Sequence, residues 1–123
     1  MGAKTLISES EYLQMNFNGP EADYVDGEIQ ERSRPTNSHS LAMLSFCLIF
    51  GRFMATAPIF PRPELRMRVG PRRFRVADLA VFAYQAPSAE IPPEVPHVVI
   101  EILSPDDRLR DIIVKFADRK SVV

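Results

Sequence analysis

The chain has 123 residues, 46% of them hydrophobic and 25% charged, with a formal net charge of −1. That length carries one domain with its own core and excludes two, and the composition is that of a soluble globular chain. Its one cysteine, Cys47, excludes an internal disulfide and any cysteine-based metal-ligand spacing, and it suits a reducing, cytoplasmic setting.

The opening residues lack the apolar core of a signal peptide. Ser8, Glu9, Ser10 and Glu11 form a capping box, which predicts a short helix to about Met15, and Asn16 to Pro20 predict a turn. Residues 22–25 and 28–31 read as two strands joined by a tight Asp26-Gly27 turn. A polar loop over 33–37 leads into an apolar helix starting near Ser38 and ending near Met54. Its apolar stretch from Leu41 is shorter than a membrane span. The helix is therefore expected to be buried, with Cys47 as a small hydrophobe, or to form an interface, including a homodimer through residues 41–54.

Pro58, Pro61 and Pro63 then forbid helix. Leu65, Met67 and Val69 alternate with Arg66 and Arg68, the period of a half-exposed strand. Gly70-Pro71 turns the chain, Phe74-Arg75-Val76 begins the return, and Asp78 opens an apolar strand over 79–84. After a proline-rich loop, residues 97–103 read as a further buried strand, with His97 structural. Asp106-Asp107 start a last helix with Leu109, Ile112, Ile113 and Phe116 along one side. The order predicts one α/β (α+β) domain over 1–123, a sheet with helices packed on it.

Charge is unevenly spread. All but three of the fifteen cationic residues are arginine, and Arg62, Arg66, Arg68, Arg72, Arg73 and Arg75 share a stretch whose only acid is Glu64. Such a cluster reads either as a phosphate-facing patch or as the solvated face of a hairpin.

Glu101 stands inside the apolar run Val98-Val99-Ile100-Glu101-Ile102-Leu103. A lone carboxylate there is costly unless it is paired, metal-bound, protonated or wet. If this strand runs antiparallel to the one opened by Asp78, with Asp78 opposite Glu101, then Ala80 faces Val99 and both carboxylates project on one face. Two acids so placed repel unless a cation lies between them, and hard oxygen ligands favour Mg²⁺ or Mn²⁺. The alternative is that Glu101 pairs with an arginine such as Arg75 or Arg108.

Three segments, Asp23 to Arg32, Arg73 to Leu79 and Val99 to Arg108, together resemble the Uma-two family of the PD-(D/E)xK nuclease superfamily in order and spacing. The resemblance implies a restriction-endonuclease-like mixed sheet flanked by helices and metal-dependent cleavage of DNA. By position it makes Asp78 and Glu101 the two metal-binding acids, with Ala77-Asp78 where the motif has Pro-Asp. Leu103 stands where the motif has lysine, and the resemblance moves that role to Lys115 in the last helix. Lys115 lies nine residues past Asp106, about 14 Å along a helix, so it reaches the acids only if that helix folds back over the sheet. Glu28 is a possible third acid. His39 reads as a capping or solvated histidine, with orientation of a phosphate or water as the alternative.

The implied chemistry is hydrolytic, with Asp78 and Glu101 holding Mg²⁺ or Mn²⁺, Lys115 assisting, and Arg66, Arg68, Arg72 and Arg73 binding the DNA backbone. The resemblance further implies that the C-terminal part of the sheet is missing, because relatives continue with another strand, and that the chain is inactive for that reason. The alternative function is a non-catalytic module of the same fold that binds DNA or a protein partner.

Overall fold

A computed structural model describes residues 5–15, 21–105 and 107–120; the expected turn at 16–20 and Asp106 lie outside them. Helix α1 (Glu9–Gln14) is capped by Ser8, whose hydroxyl accepts the Glu11 N–H at 3.1 Å. Its Tyr12 is buried, stacks on Tyr24 at 4.8 Å and donates to the Ala22 carbonyl at 2.7 Å. Those contacts fasten the helix to the hairpin of β1 (Asp23–Val25) and β2 (Glu28–Gln30). Asp26 and Gly27 between the strands both have positive φ, 50° and 92°, as a two-residue type I′ turn requires.

Helix α2 (Asn37–Phe53) begins at Thr36, whose side chain accepts the His39 N–H. The chain then forms the long hairpin of β3 (Ile59–Gly70) and β4 (Arg73–Ala83), the short β5 (Val98–Ile100) and helix α3 (Leu109–Lys120). Pro61 and Pro63 fall in β3, which lies at the end of the strand order β2-β1-β4-β3. Proline is tolerated there because an edge strand leaves half its backbone groups unpaired.

β4 is the centre of the sheet and is buried from Phe74 to Phe82. Along one edge it pairs with β3 from Ile59↔Ala83 to Gly70↔Arg73. Its other edge is shared by two short strands, β1 at Arg73 and Phe74 and β5 at residues 79–81. Every described pairing is antiparallel. Between β1 and β5 the sheet forks, leaving residues 75–78 of β4 facing a gap.

Ala80 pairs with Val99 and Leu79 with Ile100, the expected register. The strand is shorter than expected, however, and ends before Glu101. The Ile102 N–H donates to the Asp78 carboxylate at 2.7 Å instead of to a neighbouring strand, and Leu103 is 59% exposed. Helix α3 starts at Leu109, not at Asp106-Asp107, because the Asp107 carboxylate and amide both close a turn back onto Ser104. Helix α2 has no buried residue and Cys47 is only half-buried, so the helix lies on the sheet without being enclosed. Among the described residues no helix is long and apolar enough to cross a membrane.

Candidate active site

The fork leaves backbone groups of β4 without a strand partner, and side chains take their place. The Val76 N–H donates to Asp23 Oδ1 at 2.9 Å, and the Val76 carbonyl accepts from Lys115 Nζ at 3.0 Å. Lys115 thus reaches the sheet because α3 does fold back across the gap. From there its Nζ lies 3.3 Å from Glu101 Oε1 and 3.6 Å from Asp23 Oδ2. The half-buried carboxylate in an apolar run is thereby paired with Lys115.

Asp78 is equally enclosed. Its side chain is 4% exposed; Oδ1 accepts from Arg32 Nη2 at 2.7 Å and lies 3.3 Å from His39 Nε2, while Oδ2 accepts the Ile102 N–H. Arg32 extends its other arm to Glu64 Oε2 at 2.9 Å. Burial alone would lower the Arg32 pKa, but its pairs with Glu64 and Asp78 outweigh that and raise it. Glu64 has φ 51°, rare for a non-glycine residue within a strand. It falls between the pairs Pro63↔Leu79 and Leu65↔Ala77, and so opposite Asp78. Backbone strain of this kind clusters at functional sites.

These groups wall a cleft of about 330 Å³ that includes Asp23, Arg32, His39, Asp78, Glu101 and Lys115. A second pocket adjoins it and shares Arg32, His39 and Asp78. Arg75 closes the floor: Nη1 bonds Asp23 Oδ2 at 3.1 Å and Gln30 Oε1 at 3.0 Å, and Nε and Nη2 bond Asp118 Oδ2 at 2.9 and 2.6 Å.

The sequence-derived candidates divide accordingly. Asp78, Glu101 and Lys115 come together. Glu28 is not among the cleft-lining residues; it pairs with Val25 at the turn end of its hairpin, whereas Gln30 pairs with Asp23 beside the fork. Of the long hairpin's arginines, Arg66, Arg68, Arg72 and Arg73 also lie elsewhere. Arg68 pairs with Glu9 and covers the Phe74 ring at 4.4 Å, and Arg66 lies 5.4 Å over Tyr12. Arg73 bonds Asp26 at 3.0 Å and Asp118 at 2.9 Å, and Arg72 lies against Gly27. His39, expected as a capping or solvated residue, turns its ring to Asp78 while Thr36 does the capping. Asp23, Arg32, Glu64, Arg75 and Asp118 escape a sequence reading as site residues, because each is an ordinary charge until the fold brings it to the fork.

The donor set fits a small hard divalent ion. Two carboxylates, Asp78 and Glu101, line the one cleft, and among the described residues no cluster of three or more His, Cys, Asp or Glu is arranged to hold a metal. That composition suits an ion held by one or two carboxylates with water and phosphate, and not a closed zinc site. Asp78 accepts hydrogen bonds from Arg32 at Oδ1 and from the Ile102 N–H at Oδ2, with His39 3.3 Å from Oδ1, so an ion at Oδ1 would compete with Arg32.

Among solved structures, the chain is similar to "a putative nuclease belonging to DUF820" from Anabaena variabilis, with a TM-score of 0.76 and 26% identity. The similarity covers 92% of this chain and 67% of that one. No curated protein matches the chain. The family model Uma2, described as "Putative restriction endonuclease", matches residues 9–118, and the chain belongs to that family.

Proposed function

We propose that the cleft at the fork is a hydrolytic site that cleaves phosphodiester bonds of DNA with the help of Mg²⁺ or Mn²⁺. The observation that carries this reading is the approach of Lys115 Nζ to Glu101, 3.3 Å away, in a cleft that Asp78 also lines. Asp78 and Glu101 would hold the ion. When bound, it supplies positive charge to the scissile phosphate and lowers the pKa of the attacking water. Lys115 donates hydrogen bonds at the water and at the phosphoryl oxygens, offsetting negative charge as the water oxygen bonds phosphorus and one P–O ester bond breaks. The water's proton ends on the departing oxygen. His39 and Arg32 line the same space and orient the phosphate.

Arg66, Arg68, Arg72 and Arg73 would contact backbone phosphates flanking the cut, Arg68 and Arg73 exchanging their carboxylates for phosphate. The exposed stripe Leu41, Leu44, Leu48 on α2 is the face through which two copies would pair. A DNA substrate and a single cysteine suit the cytoplasm. The test is cleavage of supercoiled plasmid with Mg²⁺, Mn²⁺ or EDTA. Nicking that needs the ion and disappears in Asp78→Ala and Glu101→Ala is expected; DNA binding without cleavage under every ion would replace this reading with a non-catalytic DNA-binding module.

A further inference from the structure

Lys115 and Asp118 are three residues apart in α3 and so share one helix face. Asp118 is 5% exposed, and its carboxylate accepts three arginine hydrogen bonds, two from Arg75 and one from Arg73. Arg75 is 3% exposed and carries the connection on to Asp23, which lies 3.6 Å from Lys115 Nζ. The result is a closed circuit. The central strand holds Arg75, Arg75 holds Asp118, Asp118 fixes the helix face, and that face delivers Lys115 back to the strand at the Val76 carbonyl.

Among the described residues, Ile112 is the one half-buried apolar side chain of the helix, at the cleft. Leu109, Ile113 and Val114 are 71%, 57% and 52% exposed, so apolar packing does not set its height or rotation on the sheet. Charge-assisted bonds are directional, and a guanidinium that grips one carboxylate with Nε and Nη2 fixes orientation as well as distance. We infer that Asp118 and Arg75 are positioning residues for Lys115, clamping α3 so that the lysine stands between Glu101 and Asp23. The inference rests on the hydrolytic reading of the cleft and adds what holds its lysine in place. A displacement of about 1 Å in such a group can cost about a hundredfold in rate.

The test reads Lys115 directly by trace acylation of amines and mass spectrometry on the full chain, at temperatures where each variant is folded. In the wild type, Lys115 should react at least about tenfold more slowly than in the same chain unfolded in urea. Asp118→Asn should bring its rate close to the unfolded value. Arg75→Lys, which keeps the charge and loses the two-pronged grip, should act in the same direction and serves if Asp118→Asn does not fold. In plasmid nicking, both variants should lose about a hundredfold in kcat with little change in KM for DNA. A wild-type Lys115 that reacts as if unfolded, or one that stays protected in both folded variants, overturns the inference. Expected labelling without nicking by the wild type under any divalent ion would instead overturn the hydrolytic reading and the catalytic part of this inference, leaving only the clamp.

Discussion

Two regions of this small protein are rich in charge, and they are built in opposite ways. On the long hairpin, the arginines are neighbours in sequence and lie along one hairpin, where each takes a separate partner: Arg68 with Glu9, Arg73 with Asp26, and Arg66 over Tyr12. At the fork, Asp23, Arg32, His39, Asp78, Glu101 and Lys115 come from separate segments and meet in one cleft where β1 and β5 part from β4. A dense run of arginine announces itself in the sequence and yields separate pairs, with the partners Glu9 and Asp26 far away along the chain. A functional constellation is assembled by topology, and its members look unremarkable one at a time.

The strongest way to break this contrast is to remove one acid at the fork. Asp78→Ala deletes the acceptor for Arg32, His39 and the Ile102 N–H together. Breaking a buried ion pair by removing one partner costs about 3–5 kcal/mol. Thermal unfolding without metal should therefore move down by many degrees. Two bare carboxylates would repel, and removing one would stabilise the protein; Arg32 and Lys115 already lie against these two, so the sign is reversed. Any rise in Tm produced by millimolar Mn²⁺ in the wild type should disappear, and nicking with it. A Tm that rises in Asp78→Ala would show that the pairs are not made in solution.

Next in size is Lys115→Ala, expected to lower kcat by about a hundredfold or more, as removing a donor that offsets charge developing in the transition state does. Arg32→Gln should act differently from either. It removes the competitor at Asp78, so Mn²⁺ binding measured by calorimetry should tighten even as the metal-free protein loses stability. Weaker Mn²⁺ binding in Arg32→Gln would sink the idea that arginine and ion contend for one carboxylate.

Much of the fold was legible because it rests on local rules. The capping box at Ser8, the Asp26-Gly27 turn and the register through Ala80↔Val99 all follow from short-range chemistry and side-chain period. Within the site, Glu101 could be named because a charge in an apolar strand calls for a partner, and Asp78 because an antiparallel register brings it close. Lys115 follows only from the family resemblance, and Arg75 only as an alternative partner for Glu101. Asp23 and Asp118 could not be named, nor could the clamp that Arg75 makes between them. Their pairing depends on β1 stopping short of residue 75 of β4 and on α3 crossing the gap, and neither event has a local signature. Glu28 illustrates the same reason: it pairs with Val25 at the turn end of the hairpin, two residues from the Gln30 that pairs with Asp23 beside the fork.

The hairpin gives a smaller and more gradual response. Replacing Arg66, Arg68, Arg72 and Arg73 together with glutamine should weaken DNA binding and flatten its salt dependence, each lost phosphate contact lowering the slope by about 0.9. If the slope of log Kd against log salt does not change, these arginines serve only their own carboxylates and rings.

The smallest expected effect separates the regions by solvent alone. A hydrogen bond from Arg68 holds the Glu9 carboxyl below its ordinary 4.5, and one from Arg73 holds Asp26 below its ordinary 3.8. Folded values below the ordinary ones mean that both pairs contribute stability above those values and lose it as the pH falls through the lowered ones. Glu9→Gln should therefore cost a little stability at pH 6 and nearly none at pH 3. The difference should stay within about 1 kcal/mol, because the pair lies near the surface. About 1 M salt, with a Debye length near 3 Å, should erase it, whereas the enclosed pairs at the fork are screened much less. A Glu9→Gln effect at pH 6 that survives 1 M salt would place that pair with the fork and undo the contrast between the two regions.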